Sequence, residues 1–195
     1  MCYIKRMKKE IITIAGAPGS GKSSTADLVA RKLDFKRFSS GDFFRQIGLD
    51  LGLSVNGVNK RAETDPQIDV MTDEKLRQLR DKEKIVIDSR TAYHWIPESF
   101  KVYLDLPPEI AKDRILNSLK VERLRQQSEN MSTAEEVYKK ITERFESEQK
   151  RYWDLYKIKN TDKKNYDLII DTNKNNLEQV VDIIVSEYKK WIAEN

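Results

Sequence analysis

The residues best suited to chemistry form one short segment that matches the phosphate-binding pattern G-x-x-x-x-G-K-[ST] at every position. Its members are Gly16, Ala17, Pro18, Gly19, Ser20, Gly21, Lys22 and Ser23. The glycines let the backbone turn tightly, so that successive N–H groups converge on phosphate oxygens. Lys22 can offer its ammonium group to the β- and γ-phosphates, and the Ser23 hydroxyl can bind Mg²⁺. The segment therefore predicts a nucleoside triphosphate site.

The elements around this segment fit that prediction. An apolar run, Ile11 to Ala15, precedes it as a short buried strand would, and Thr25 to Leu33 follows with helical spacing. The alternative is an ordinary glycine-rich loop that caps a helix, and the strand–loop–helix context disfavours it. With the adjacent Ser24, the segment forms our predicted ATP-binding loop.

An acidic residue at the end of another apolar run is a candidate metal ligand. Asp88 closes Ile85-Val86-Ile87-Asp88, which predicts a buried strand. A carboxylate at a strand end can hold Mg²⁺ directly or through water, as the acid of the Walker B strand does. The alternative is an aspartate that caps a helix or stabilises a turn. We expect Ser23 and Asp88 together to form the metal site.

Two arginines follow predicted strands. Arg45 ends the segment Ser39-Ser40-Gly41-Asp42-Phe43-Phe44-Arg45, and Arg90 lies directly beyond Asp88. Arginine binds planar oxyanions by two parallel hydrogen bonds and keeps its charge at any accessible pH. Either arginine alone could be a surface ion pair, but their shared placement indicates a site for a second phosphorylated molecule.

A predicted long helix carries three further charged residues on one face. Arg144, Glu148 and Arg151 are separated by four and three residues, so the carboxylate lies between two guanidinium groups. Spacing alone favours an ordinary ion pair on a solvated face, which contributes only about 0.3 kcal/mol.

The predicted strands alternate with helices, which indicates an α/β fold with a five-stranded parallel sheet between two layers of helices. This is the three-layer P-loop NTPase fold, with its ligand crevice at the carboxyl ends of the strands. The stretch from Gly48 to Asn59 predicts loops between short helices. The predicted strands are residues 11–15, 35–39, 85–88, 100–105 and 166–171, and the last helix is 177–192.

The chain of 195 residues suits a single domain, 1–195, with 36 basic and 32 acidic side chains and a net charge of +4. This small excess of positive charge favours an anionic small molecule over nucleic acid as the ligand. A lone cysteine, Cys2, and the absence of a long apolar run predict a cytoplasmic protein without a membrane segment. Residues 1–8 lie outside the pattern, and we expect Met7 to be a possible start.

These segments resemble the cytidylate kinases, the phosphate-loop nucleoside monophosphate kinases that act on CMP and dCMP, and are most similar to their short archaeal form. The segment 40–45 is similar to the family's Ser-Gly-x-x-aromatic-Arg, and residues 88–90 to its Asp/Glu-Gly-Arg. The residues 144, 148 and 151 are similar to its Arg-x-x-x-acid-x-x-Arg helix. The resemblance runs from about Glu10 to Val181.

The resemblance implies transfer of the γ-phosphoryl group of ATP to CMP or dCMP with Mg²⁺, by a monomer whose partners are ATP and a nucleoside monophosphate. It implies catalytic roles for Lys22, Arg144 and Arg151, and packing of Arg114 near the ATP base or lid. Residues of about 41–83 would form the acceptor-binding insert and about 117–131 the lid, with Lys120, Arg123 and Arg125. The implied acceptor-binding residues are Ser40, Arg45, Arg90, Glu148 and Arg151, and we expect Asp69 to join them.

The sequence departs from the family pattern at Ser89, where the family has Gly, and at Glu148, where the longer enzymes have Asp. The acceptor segment is also short, so Asp65 or Asp69 is expected to contribute to base recognition, although both suit a helix N-terminus.

Trp153 and Trp191 are expected to pack in the core.

Two alternatives stay open. Ser39-Ser40-Gly41-Asp42 is also similar to the Ser-Thr-Gly-Asp segment of adenylate kinases, which makes AMP a second candidate acceptor, and a uridylate-type kinase belongs to the same class. The chain could instead be a regulatory or RNA-binding protein that uses the loop as a nucleotide switch. Basic runs such as Lys5-Arg6-Met7-Lys8-Lys9 are consistent with that role, but such runs are usually solvated surface, so we expect no nucleic-acid partner.

Overall fold

The structure, a computed structural model, describes residues 8–126 and 133–194, with the side chains of 119–126 left out. A parallel sheet of five strands has the order β2-β3-β1-β4-β5. Its strands are β1 (Ile11–Gly16), β2 (Lys36–Ser39), β3 (Ile85–Asp88), β4 (Phe100–Asp105) and β5 (Leu168–Asp171). The predicted α/β class and five-stranded parallel sheet are confirmed.

Eight helices lie within the described ranges, together with two short 3₁₀ turns at Leu79–Asp81 and Lys163–Asn165. The helices are α1 (Lys22–Leu33), α2 (Ser40–Asp50), α3 (Val55–Ala62), α4 (Gln67–Gln78), α5 (Ala92–Trp95), α6 (Pro108–Gln126), α7 (Ala134–Tyr156) and α8 (Leu177–Ala193). The stretch 48–59 is more helical than predicted, because α2 continues to Asp50 and the Ser54 side chain caps α3 by accepting from Gly57 N.

Side chains alternate between the two faces of the sheet, because successive residues of a strand point to opposite sides. Ile12, Ile14 and Val86 pack with α1 and α8 on one face. Ile11, Ile85 and Ile87 pack with α4 and α5 on the other, where the aromatic end of α7 also lies. A smaller cluster joins α2, α3 and α4. The sheet is therefore covered on both faces, as an all-parallel sheet requires.

The two tryptophans expected in the core differ. Trp191 packs against Phe100 and Tyr188 on the α8 side of the sheet. Trp153 is 52% exposed, so its predicted burial is wrong. The reason is that the inward face of α7 instead carries the buried Arg151 and the partly buried Tyr152, so Trp153 is turned outward.

The topology places the ends of three strands side by side. β1 pairs with β3 on one side and β4 on the other, and β3 pairs with β2. Their carboxyl ends lead to the loop from Gly16, to α2 and to the turn after Asp88. The crevice beside β1 is thus the switch point where ligands bind in open α/β sheets. No helix among the described residues is long and apolar enough to cross a bilayer.

Candidate active site

The loop between β1 and α1 has the backbone that close approach to phosphate requires. Gly16, Gly19 and Gly21 have φ values of 153°, 77° and 83°. At Gly16 a Cβ atom would lie 2.6 Å from the Leu104 carbonyl oxygen, so the loop passes too close to β4 for any side chain. The loop ends at the N-terminus of α1, whose free N–H groups favour an anion.

Lys22 lies within this loop, with its Nζ 3.4 Å from the Ala17 carbonyl oxygen. Burial, and next the charge of Arg90, lower the pKa of Lys22 from 10.5 to about 7. The charges of Asp88 and Glu148 act in the opposite direction but do not outweigh these effects. The protonated form of Lys22 becomes more stable when an anion binds beside it.

Ser23 and Asp88 meet at the start of α1. The Ser23 hydroxyl donates to Asp88 Oδ2 at 2.6 Å, and Asp88 is 6% exposed. A hydroxyl and a carboxylate oxygen are hard donors of the kind that Mg²⁺ prefers. The pair therefore fits a magnesium ion bound with a nucleotide at the loop. No cluster of three or more His, Cys, Asp or Glu suited to a metal occurs elsewhere in the described ranges.

A cavity of about 320 Å³ joins the phosphate loop to the predicted acceptor residues. It brings together residues from β1–α1, α2, β3–α5 and α7. Of the predicted site residues, it is lined by Pro18, Gly19, Lys22, Ser23, Ser40, Arg45, Asp88, Arg90, Arg144, Glu148 and Arg151.

A second cavity, of about 420 Å³, shares part of its lining with the first. It is lined by Gly21, Ser24 and Arg114 together with Lys22 and Ser23. Arg114 donates to the Thr172 carbonyl oxygen at 2.6 Å, which links α6 to the loop after β5. Ser24 and Arg114 therefore line a different cavity from the predicted acceptor residues.

Glu148 links the arginines of two elements. It pairs with Arg90 from the turn after β3 and with Arg144 of its own helix, whose Nε lies 3.6 Å from Glu148 Oε1. The Arg90 guanidinium also lies over the Phe145 ring, 5.0 Å from its centre. The expectation of an ordinary solvated ion pair within one helix, which spacing alone favoured, is wrong, because Glu148 is 14% exposed and reaches across to the sheet.

Arg151 is held beneath this cluster. Its Nε donates to Asp69 Oδ2 at 2.7 Å, and its Nη1 donates to Ser147 Oγ at 2.8 Å. Asp69 is 2% exposed and does not line the main cavity. Burial raises the pKa of Asp69, although the Arg151 hydrogen bond and charge oppose this effect. The other expected base-recognition residue, Asp65, pairs instead with Arg61 at 3.1 Å.

Arg45 and Ser40, on α2, also line the main cavity. Arg45 pairs with Asp42, one turn earlier in the helix, and its side chain is half exposed. The Ser40 hydroxyl lies 3.5 Å from the Asp88 carbonyl oxygen. The structure thus places the three arginines of the predicted acceptor site, Arg45, Arg90 and Arg151, on one cavity. The predicted lid residues Lys120, Arg123 and Arg125 lie outside the described side chains.

The turn after β3 contains hydrogen bonds that the sequence analysis did not predict. Ser89 Oγ accepts hydrogen bonds from Thr91 N and Ala92 N, both at 3.2 Å. Among the described residues other than glycine, positive φ occurs at Asp34, Lys84 and Lys157, so Ser89 is free of that strain where the family has Gly. Ser89 thus stabilises the turn that carries Arg90.

Asp73 supports the same turn from α4. It accepts from Thr91 Oγ1 at 3.2 Å and from Trp95 Nε1 at 3.0 Å. Burial raises its pKa from 3.8 to about 6. The spacing of four residues between Asp69 and Asp73 could have indicated a shared helix face, although not its burial.

Comparisons with known proteins now decide the family. A family model described as "AAA domain" matches residues 12–154. The cytidylate kinase of Archaeoglobus fulgidus is 33% identical over 183 residues, which cover 92% of this chain and 96% of that one. The chain belongs to the cytidylate kinase family. The predicted resemblance is confirmed, and with it a P-loop kinase of the nucleoside monophosphate class.

Two further similarities concern other proteins. An S-adenosylmethionine-dependent nucleotide dehydratase of Lacinutrix mariniflava is 33% identical to this chain over 184 residues. The matched region covers 93% of this chain but only 36% of the dehydratase. The solved shikimate kinase of Bacteroides thetaiotaomicron has a TM-score of 0.59 at 12% identity, with 92% of this chain and 98% of that chain covered. The second similarity confirms the P-loop kinase fold.

Proposed function

We propose that this protein transfers the γ-phosphoryl group of ATP to CMP or dCMP, forming ADP and CDP or dCDP. The observation that carries the proposal is the cavity of about 320 Å³, in which Lys22 and Ser23 face Arg45, Arg90 and Arg144. A donor and an acceptor that both carry phosphate need this concentration of positive charge. The names of the archaeal relatives support cytidine as the acceptor nucleoside.

The donor half binds the triphosphate. Backbone N–H groups of the loop and the N-terminus of α1 surround the β- and γ-phosphates, and Lys22 neutralises their charge. Ser24 and Arg114 line the second cavity, where we place the nucleoside of ATP. Magnesium held at Ser23 and Asp88 supplies charge neutralisation at the phosphate oxygens when it is bound.

The acceptor half positions the nucleophile. Ser40, Arg45 and Arg90 hold the monophosphate, whose oxygen attacks the γ-phosphorus while the bond to the bridging oxygen of ADP breaks. The monophosphate dianion is already a nucleophile, so no general base is needed, and positioning with charge neutralisation accounts for catalysis. Arg144 and Arg151 act on the transferring group and the acceptor from α7.

Glu148 and Asp69 have different proposed roles in the acceptor half. Glu148 pairs with Arg90 and Arg144 and lines the cavity, so it can contact the acceptor directly. Asp69 lies off the cavity lining and acts through Arg151. We also propose that residues 1–195 work as a single domain and a monomer, with about 41–83 as acceptor-binding insert and about 117–131 as lid.

The test is a coupled assay of ADP formation with ATP, Mg²⁺ and each of CMP, dCMP, UMP and AMP. We expect CMP and dCMP to give the highest kcat/KM. The Arg90→Gln variant should raise the KM for the monophosphate and lower kcat, while Arg31→Gln, exposed in the last turn of α1, serves as the matched control. Transfer to none of the monophosphates would contradict the function, and preference for AMP or UMP would contradict the acceptor.

A further inference from the structure

Arg37 contacts the proposed magnesium site from outside the cavity. It lies on β2, and its Nη2 donates to Asp88 Oδ2 at 3.2 Å. Its Nε lies 3.3 Å from Asp27 Oδ1 on α1. The guanidinium is thus held between two carboxylates, one at the site and one nearer the solvent. Arg37 does not line the main cavity, and neither the phosphate-loop pattern nor the acceptor motif includes it.

The sheet register explains why Arg37 reaches this position. Arg37 pairs with Val86 and Ser39 pairs with Asp88 in the parallel β2–β3 ladder. Val86 packs on the α1 side of the sheet, so the Arg37 side chain is directed to that side as well. Ser23, in the first turn of α1, meets Asp88 from the same side. The fold therefore brings Arg37, Ser23 and Asp27 around one carboxylate.

Both hydrogen bonds to the Asp88 carboxylate are accepted by the same oxygen. Ser23 and Arg37 both donate to Oδ2, at 2.6 Å and 3.2 Å. Among the described residues no hydrogen bond is formed to Oδ1 of Asp88, and Asp88 lines the main cavity. Arg37 thus holds the carboxylate in one orientation and leaves its second oxygen for a cation or a bound water. Such outer contacts orient metal ligands and tune the affinity of the metal.

We propose that Arg37 is a positioning residue for the metal, which couples magnesium to nucleotide binding by orienting Asp88. The inference rests on the proposed function, because it takes the magnesium nucleotide as the ligand of the loop. The Arg37 side chain is 26% exposed and the Asp88 side chain 8%, so the contact between them is largely shielded from solvent. Asp27, with a side chain 45% exposed, restrains Arg37 from the outer side.

The experiment measures the affinity of ADP, and of an ATP analogue with a non-hydrolysable β–γ link, by calorimetry with Mg²⁺ and with EDTA. The ratio of the two dissociation constants is the coupling. In the Arg37→Gln variant we expect the coupling to fall about tenfold, with the affinity in EDTA unchanged. Asp27→Asn keeps the contact between Arg37 and Asp88, so it is the matched control and should retain nearly the whole coupling.

Arg37→Lys provides a second variant that decides the question if the glutamine variant does not fold. A lysine keeps a positive charge beside Asp88 but lacks the planar guanidinium that fixes the orientation of a carboxylate, so a smaller loss of coupling than with glutamine is expected. Unchanged or stronger coupling in the folded variants would overturn the inference. Wild-type protein that shows no magnesium-dependent binding would instead contradict the proposed function. Coupling that is lost in Asp88→Asn but kept in the Arg37 variants would contradict only the role of Arg37.

Discussion

Asp69 on α4 and Arg151 on α7 form a nearly buried ion pair, with Arg151 Nε 2.7 Å from Asp69 Oδ2 and Nη2 3.4 Å from Oδ1. The two residues are exposed by only 2% and 9%. The pair joins the helical insert to the helix that carries Arg144 and Glu148. Its geometry therefore links the stability of the fold to the position of the acceptor site.

Removing one member of this pair should destabilise the protein strongly. We expect Asp69→Ala to lower the free energy of unfolding by about 3 kcal/mol, because it leaves the Arg151 charge buried without its partner. Urea denaturation measures the change. Asp69→Ala combined with Arg151→Met should recover part of the loss. Lys150→Ala, which breaks an exposed pair with Asp154 on the same helix, is the control and should have little effect.

Nucleotide binding should take up a proton at Lys22. Burial lowers the pKa of this group to about 7, and the phosphates of a nucleotide should raise it again. At about pH 8 Lys22 is mostly deprotonated before the nucleotide binds, so binding should take up about one proton. Calorimetry of ADP binding in buffers of different ionisation enthalpy measures this number.

The uptake should disappear in the Lys22→Arg variant, because arginine keeps its charge at this pH. Uptake near zero in the wild type at about pH 8 would show that Lys22 is already charged before the nucleotide binds. The dependence of the unfolding free energy on pH has the opposite sign to that of a lysine in an ordinary ion pair. Without nucleotide, the lowered pKa makes the free energy of unfolding rise with pH above about 7, since the unfolded chain then holds more protons on this group.

Asp73 should make stability depend on pH in the acid range. Burial raises its pKa from 3.8 to about 6, so the folded state holds more protons than the unfolded state between these values. Its contribution to stability is complete below about pH 4 and is lost as the pH rises through about 6. Relative to the wild type, Asp73→Asn should therefore gain about 3 kcal/mol in unfolding free energy between pH 4 and 7.

Urea denaturation of both proteins across this range measures the difference. Asparagine keeps an acceptor for Thr91 and Trp95, so the comparison isolates the charge. A difference between the two proteins that does not change with pH would contradict the raised pKa of Asp73.

Two glycines of the phosphate loop should differ in their tolerance of alanine. A Cβ at Gly16 would lie 2.6 Å from the Leu104 carbonyl oxygen, whereas at Gly21 it would meet nothing within 4 Å. We expect Gly16→Ala to cost about 3 kcal/mol through overpacking. Gly21→Ala should cost about 1 kcal/mol through its positive φ alone. Thermal unfolding without nucleotide compares them, and equal losses would contradict the packing argument.

Much of the fold could be predicted because local signals agreed. The apolar strands at 11–15, 85–88 and 100–105 were predicted within a residue, since buried parallel strands are continuous apolar runs between turn residues. The start of β5 was predicted two residues early, at 166 instead of Leu168. The length of the loops between 48 and 59 was overestimated. Gly and Asn are common in loops, but they also occur at the ends of helices.

The candidate site was less predictable, because its key contacts join residues that are far apart in the chain. Arg90 and Glu148 are separated by 58 positions, and Arg37 and Asp88 by 51. Spacing can place Arg144 and Glu148 on one helix face, but it cannot show that Glu148 reaches an arginine on another element. The exposure of Trp153 also depended on which face of α7 meets the sheet.

The sequence by itself determined the phosphate loop, the parallel α/β fold and the residue types at the strand ends, because these follow from local spacing and hydrophobic periodicity. Only the tertiary structure decided that Asp69 lies beneath Arg151 instead of lining the main cavity, that Glu148 joins two arginines, and that Arg37 contacts Asp88. The physical reason is that burial and pairing of charges depend on how distant elements pack, which no local pattern specifies.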